Sequence, residues 1–161
     1  MLFMRIFAIT TAMTMINNIR EYTLNSTPGI WKSKVALVAD DMYRGCSLNE
    51  GETSHTQSSD EIYDSLKSIL PILPFYGIHY NIKHTGSGCA YPDLTENLIH
   101  TINNGVGLVN YIGHGDPETW SGENILSKSS DIEVAMTLLG FLDSELYVSF
   151  LAIATSISIS L

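Results

Sequence analysis

The segment Gly107-Leu108-Val109-Asn110-Tyr111-Ile112-Gly113-His114-Gly115 runs from an apolar stretch into a histidine held between two glycines. An α/β protein presents an imidazole in this way at the carboxyl edge of a buried strand, the edge at which open α/β sheets bind ligands. Flanking glycines open backbone angles closed to other residues and let a substrate approach the chain closely. The same letters also describe a plain strand followed by a turn. A second run, Val35-Ala36-Leu37-Val38-Ala39, is apolar throughout and of strand length. Such runs suit a parallel strand covered on both faces. It leads into Asp40-Asp41, so two expected strands carry polar, chemically competent residues at their ends.

Between and around these runs the pattern alternates. A strand over residues 2–8 leads to apolar positions Ala12, Met15, Ile16, Ile19 and Tyr22 at helical spacing. Residues 42–57 are polar and read as a long loop after the strand end. Asp60 caps a helix with Ile62, Leu66, Ile69 and Leu70 on one face, ended by Pro71 and Pro74. Ile78 to Lys83 alternates and reads as a strand nearer an edge, with a loop over 85–92. Asp93 opens a helix with Leu94, Leu98, Ile99 and Ile102 as its stripe, closed by Asn104-Gly105. A helix around Asp131 to Leu139 and an apolar strand from Leu146 to Ala154 follow. Strand and helix in alternation predict an open, mostly parallel sheet flanked by helices, an α/β fold.

Composition narrows the function. The formal net charge is -9 with only 8 Lys and Arg. Phosphate neutralisation needs clustered basic residues, so a nucleic-acid surface is excluded. No segment reaches the roughly 18–20 apolar residues of a membrane span. Two cysteines, Cys46 and Cys89, allow one disulfide or two free thiols in loops. His114, Asp116 and Glu118 lack the HExxH or Cys/His spacing of a zinc site. His55, His79, His84 and His100 are dispersed and read as structural or exposed.

The order of words then carries a resemblance. Trp31-Lys32, Val35 to Asp41, the Ile102 to Gly115 segment with Asn110-Tyr111-Ile112-Gly113-His114-Gly115, then Trp120, Glu123, Ile125-Leu126 and Asp131-Ile132 resemble the catalytic domain of gingipain-type cysteine peptidases, relatives of the caspases. The likeness runs from about Arg5 to about Asp131. It implies a caspase-like three-layer sandwich, of which residues 1–161 form a single partial catalytic domain. It implies that His114 is the base or acid partner of a cysteine and that the Gly115 N–H serves the oxyanion. An acidic residue at a neighbouring strand end orients the histidine in this family; Asp41 is placed first and Asp40 is the alternate. Trp120 matches a family tryptophan, lining the cleft or packing the loop on the core.

The family cysteine follows the next strand in an Ala-Cys-x-x-Gly word. Here Ala154-Thr155-Ser156-Ile157 stands in that place, and no cysteine follows His114. Thr155 has a hydroxyl, far less acidic than a thiol, and threonine nucleophiles rely on an N-terminal amine. The expectation is therefore a peptidase domain with the histidine half of the dyad present and no hydrolysis by this chain alone. The alternative is a non-catalytic pseudo-peptidase or peptide-binding α/β domain. A flavodoxin-like binding domain lacks support, since no Gly-rich phosphate loop follows the first strand. The resemblance further implies a polypeptide substrate, a secreted or cell-surface location and no cofactor beyond structural calcium, whose ligands are not placed on this chain. The apolar Leu146 to Ala154 strand, if left uncovered, predicts self-association of the isolated chain.

Overall fold

The computed structural model of the chain describes residues 28–131 except 41–42, 45, 49–52, 87, 117 and 128–129, together with positions 16, 17, 20 and 24. The expected strands over 2–8 and 146–154, the helix around 131–139 and Thr155 lie outside the described residues, as does Asp41.

The centre is a three-stranded parallel sheet of β1 (Val35–Ala39), β4 (Ile72–Tyr76) and β7 (Leu108–Ile112), in the order β4-β1-β7. Val35 lies opposite both Ile72 and Leu108, and Ala39 opposite both Tyr76 and Ile112. Helix α1 (Ser54–Leu66) links β1 to β4, and helix α2 (Pro92–Asn103) links β4 to β7. Every residue of β1 is buried because a helix covers each face. Val35, Leu37 and Ala39 pack with Ile62 and Tyr63 of α1. Ala36 and Val38 pack with Leu94, Leu98 and Ile102 of α2, joined by Val109 and Tyr111. The uninterrupted apolar run thus has its physical cause in two-sided burial. β7 is different: Val109 and Tyr111 are buried, while Leu108 is exposed.

Around this three-layer core lie small hairpins. β2 (Tyr43–Arg44) pairs with β3 (Ser47–Leu48), and β5 (Lys83–Thr85) with β6 (Gly88–Ala90), all antiparallel. β8 (Thr119–Trp120) pairs with β9 (Leu126–Ser127).

Several element boundaries differ from the sequence expectation. The 42–57 segment is not wholly loop: it holds the β2–β3 hairpin, and α1 starts at Ser54. Its first turns are polar because they are largely solvent-facing, and Asp60 sits within the helix rather than at its cap. The strand expected over Ile78 to Lys83 is instead Ile72–Tyr76, with a 3-10 turn at Gly77–His79. Pro74 therefore lies inside a strand. Among the described residues β4 is an edge of the sheet, where a missing N–H is tolerated. Helix α2 follows expectation. Pro92 occupies its first turn, Asp93 sits at the positive end of the helix dipole, and Gly105 closes it at φ +91°.

Candidate functional site

Pairing of β1 with β7 brings the two polar strand ends together. The sheet continues one residue beyond Ala39, since the Asp40 N–H donates to the Ile112 carbonyl at 3.0 Å. Asp40 and the Gly113-His114 turn therefore leave the sheet side by side. The Asp40 carboxylate is 2% exposed. Its Oδ2 accepts the His114 backbone N–H at 3.0 Å and lies 3.1 Å from His114 Nδ1. A carboxylate only accepts, so Nδ1 carries a proton, an arrangement that in the neutral ring leaves the lone pair on Nε2. The His114 side chain is 47% exposed, so this arrangement opens to solvent.

Gly113 permits the approach. A Cβ there would fall 2.5 Å from both the Asp40 Cβ and the Tyr111 hydroxyl. The glycine is needed for space and not for a left-handed backbone angle. Gly115 is also close to its surroundings, with a Cβ there meeting the Thr119 carbonyl at 3.2 Å.

The histidine loop is fastened from below. The His114 carbonyl accepts the Tyr111 hydroxyl and, at 2.8 Å, the Ser121 N–H. Trp120 stacks on the Tyr111 ring with centroids 4.5 Å apart and planes 10° from parallel. Trp120 thus packs this loop onto the core, one of its two expected roles. Asp116 Oδ1 accepts the N–H groups of Glu118 and Thr119 at 2.7 and 2.8 Å, which hold its carboxyl below the usual aspartate range. The buried Glu123 carboxylate accepts the Ser121 hydroxyl.

A second imidazole stands over the site. His55, in the first turn of α1, meets the His114 ring edge-on with centroids 4.7 Å apart and planes at 89°. Its Nδ1 is buried with no hydrogen-bond partner. The Thr56 hydroxyl donates to the Asp40 carbonyl at 3.2 Å, tying this turn to the end of β1. Sequence reasoning placed His55 in a loop and missed it. The available signal was topological: a helix that follows a parallel strand starts over the strand's carboxyl edge.

Cys46 and Cys89 form a disulfide, so neither is a free thiol. It joins the turn between β2 and β3 to β6, and His84 Nδ1 lies 3.4 Å from Cys89 Sγ. Among the described residues Asp40, His55 and His114 gather three metal-capable side chains, while His84 stands beside Cys46 and Cys89, whose sulfurs are bonded to each other. His79 and His100 lie apart from the Asp40–His114 pair, beside Tyr76 and Asn104 respectively.

Comparisons with known proteins bear on this arrangement. The profile of peptidase family C25 matches residues 5–135. No curated protein sequence matches the chain significantly. Among solved structures the chain is similar to the Arg-specific cysteine proteinase gingipain R, with 26% identity, a TM-score of 0.49, and coverage of 73% of this chain. The chain spans 24% of the length of that proteinase chain. Matched over most of its length, with its glycine-flanked histidine inside the matched region, the chain belongs to peptidase family C25, the gingipain-type cysteine peptidases.

Proposed function

We propose that this chain supplies the histidine–carboxylate half of a cysteine-peptidase active site, with His114 as general base and Asp40 as the residue that orients it. The observation that carries the reading is the 3.1 Å contact between Asp40 Oδ2 and His114 Nδ1 at the sheet edge. An acidic partner on the far ring nitrogen fixes the tautomer and stabilises the imidazolium that forms when Nε2 takes a proton. Asp40, the alternate in the sequence reading, is proposed for this role; Asp41, placed first there, lies outside the described residues. The Gly115 N–H is assigned to the oxyanion, and the substrate is a polypeptide. The reaction is acyl transfer: a thiolate attacks the scissile carbonyl, and the histidine returns its proton to the leaving amine.

No cysteine follows His114 in this sequence, and Cys46 and Cys89 are paired with each other. These two facts favour a second reading beside the first, a pseudo-peptidase that binds peptides without cleaving them. Under both, the chain alone does not hydrolyse peptides. The disulfide supports a secreted or cell-surface location, since such bonds persist in oxidising compartments. Self-association through the apolar Leu146 to Ala154 segment belongs to the same proposal. Among the described residues no helix is long and apolar enough to cross a membrane.

The test restores a thiol at the position that resembles the family nucleophile. In Thr155→Cys, the new thiol should be alkylated by iodoacetamide about tenfold faster at neutral pH than in the same variant carrying His114→Ala. Equal rates in the two proteins would remove His114 from the role of base. Measurable peptide hydrolysis by the unaltered chain, lost in His114→Ala, would show that the nucleophile lies elsewhere in it.

A further inference from the structure

The geometry points to a divalent-cation site of the zinc class formed by Asp40, His55 and His114. Two imidazoles and a carboxylate are a donor set that zinc, a borderline cation, accepts in four-coordinate sites, often with solvent in the remaining position. One ligand atom from each of the three residues lies within 4.8 Å of the others. Asp40 Oδ2 and His114 Nδ1, 3.1 Å apart, already suit one ion, because neighbouring ligands on tetrahedral zinc sit about 3.3 Å from each other. Only the His55 ring must close in. It is a partly buried side chain in the first turn of α1, already in edge contact with the His114 ring. A second observation marks the ligand: His55 Nδ1 is buried and has no hydrogen-bond partner. A buried polar atom left unpaired is costly, and a bound cation would satisfy it.

Occupancy has a defined chemical consequence, which rests on the proposed role of His114. A bond from the cation to His114 Nδ1 takes the place of the Nδ1 proton. That proton goes to Nε2 by way of solvent, and no electrons are transferred. Nε2 then holds a hydrogen and has no lone pair for a thiol. Cation binding and general-base function are therefore mutually exclusive at this imidazole. His55 is a ligand in this account and takes no part in peptide chemistry.

The experiment uses the full chain with its disulfide intact, stripped with a chelator and dialysed. Zinc is titrated by calorimetry and cobalt(II) by its visible d–d absorption. One equivalent of each should bind, with the intense band of tetrahedral cobalt. His55→Ala should weaken binding about tenfold or more with an unchanged thermal melt, and His55→Cys, which restores a donor, should recover it. His84→Ala should leave binding as it was. No binding by the unaltered chain, or full binding by His55→Ala, overturns the proposal. Loss of binding in His84→Ala also overturns it, by moving the ion to the His84 imidazole. The readout is metal binding alone, so its failure leaves the thiol-alkylation test standing, and the reverse holds too.

Discussion

Asp40 accepts two hydrogen bonds from a single residue, one from its main chain and one from its ring. The backbone bond shapes the turn and the side-chain bond aims the imidazole, so one buried carboxylate couples structure to chemistry. Asp40→Ala should lose about 1–3 kcal/mol of stability, since it removes two hydrogen bonds to a buried charged acceptor. Urea unfolding measures it, and an unchanged midpoint would contradict the coupling. Asp116 offers a pH-dependent counterpart in the same loop. Its folded pKa is depressed, chiefly by the Glu118 N–H and then by that of Thr119. Folding therefore favours its ionised form. Its contribution is complete above the ordinary aspartate range and is lost as pH falls through the lower folded value. A carboxyl-carbon NMR titration should place the Asp116 midpoint below that of an unstructured aspartate, and an ordinary midpoint would contradict the loop geometry.

At the scale of elements, the legible parts were those whose residues face one environment. β1 reads as a strand because both its faces are buried, and α2 reads as a helix because Leu94, Leu98 and Ile102 form one apolar stripe. β4 was misplaced because Pro71 and Pro74 look like breakers, and only the sheet order among the described residues reveals an edge that accepts Pro74. The start of α1 was hidden because its first turns are polar. That error concealed His55, which in turn concealed the company His114 keeps. That Asp40 meets His114 was likewise out of reach of spacing: it depends on the sheet extending one residue past Ala39, to the Asp40 N–H. The pairing of the cysteines was open in the sequence because the two hairpins that carry them are short and local. Their disulfide closes a sequence separation of 43 residues and should contribute about 2–4 kcal/mol. Cys46→Ser with Cys89→Ser should lower the denaturation midpoint accordingly, and an unchanged midpoint would show that the two hairpins stay docked without it.

For the molecule as a whole, the sheet edge is where separate demands converge. Parallel pairing sets Asp40 beside His114, the β8–β9 hairpin supports the histidine turn through Trp120, and α1 brings His55 over both. Little of this can change in isolation, because Gly113 leaves no room for even one added carbon.

The covalent link between Cys46 and Cys89 also makes a closed ring of chain that contains all of α1 and β4. A single backbone cut anywhere within that ring releases nothing. Both pieces stay joined through sulfur, and a non-reducing gel shows one intact band where a reducing gel shows two. For a chain whose relatives cleave polypeptides, a nick of this kind would leave the strand that bears Asp40 still attached to the helix that bears His55.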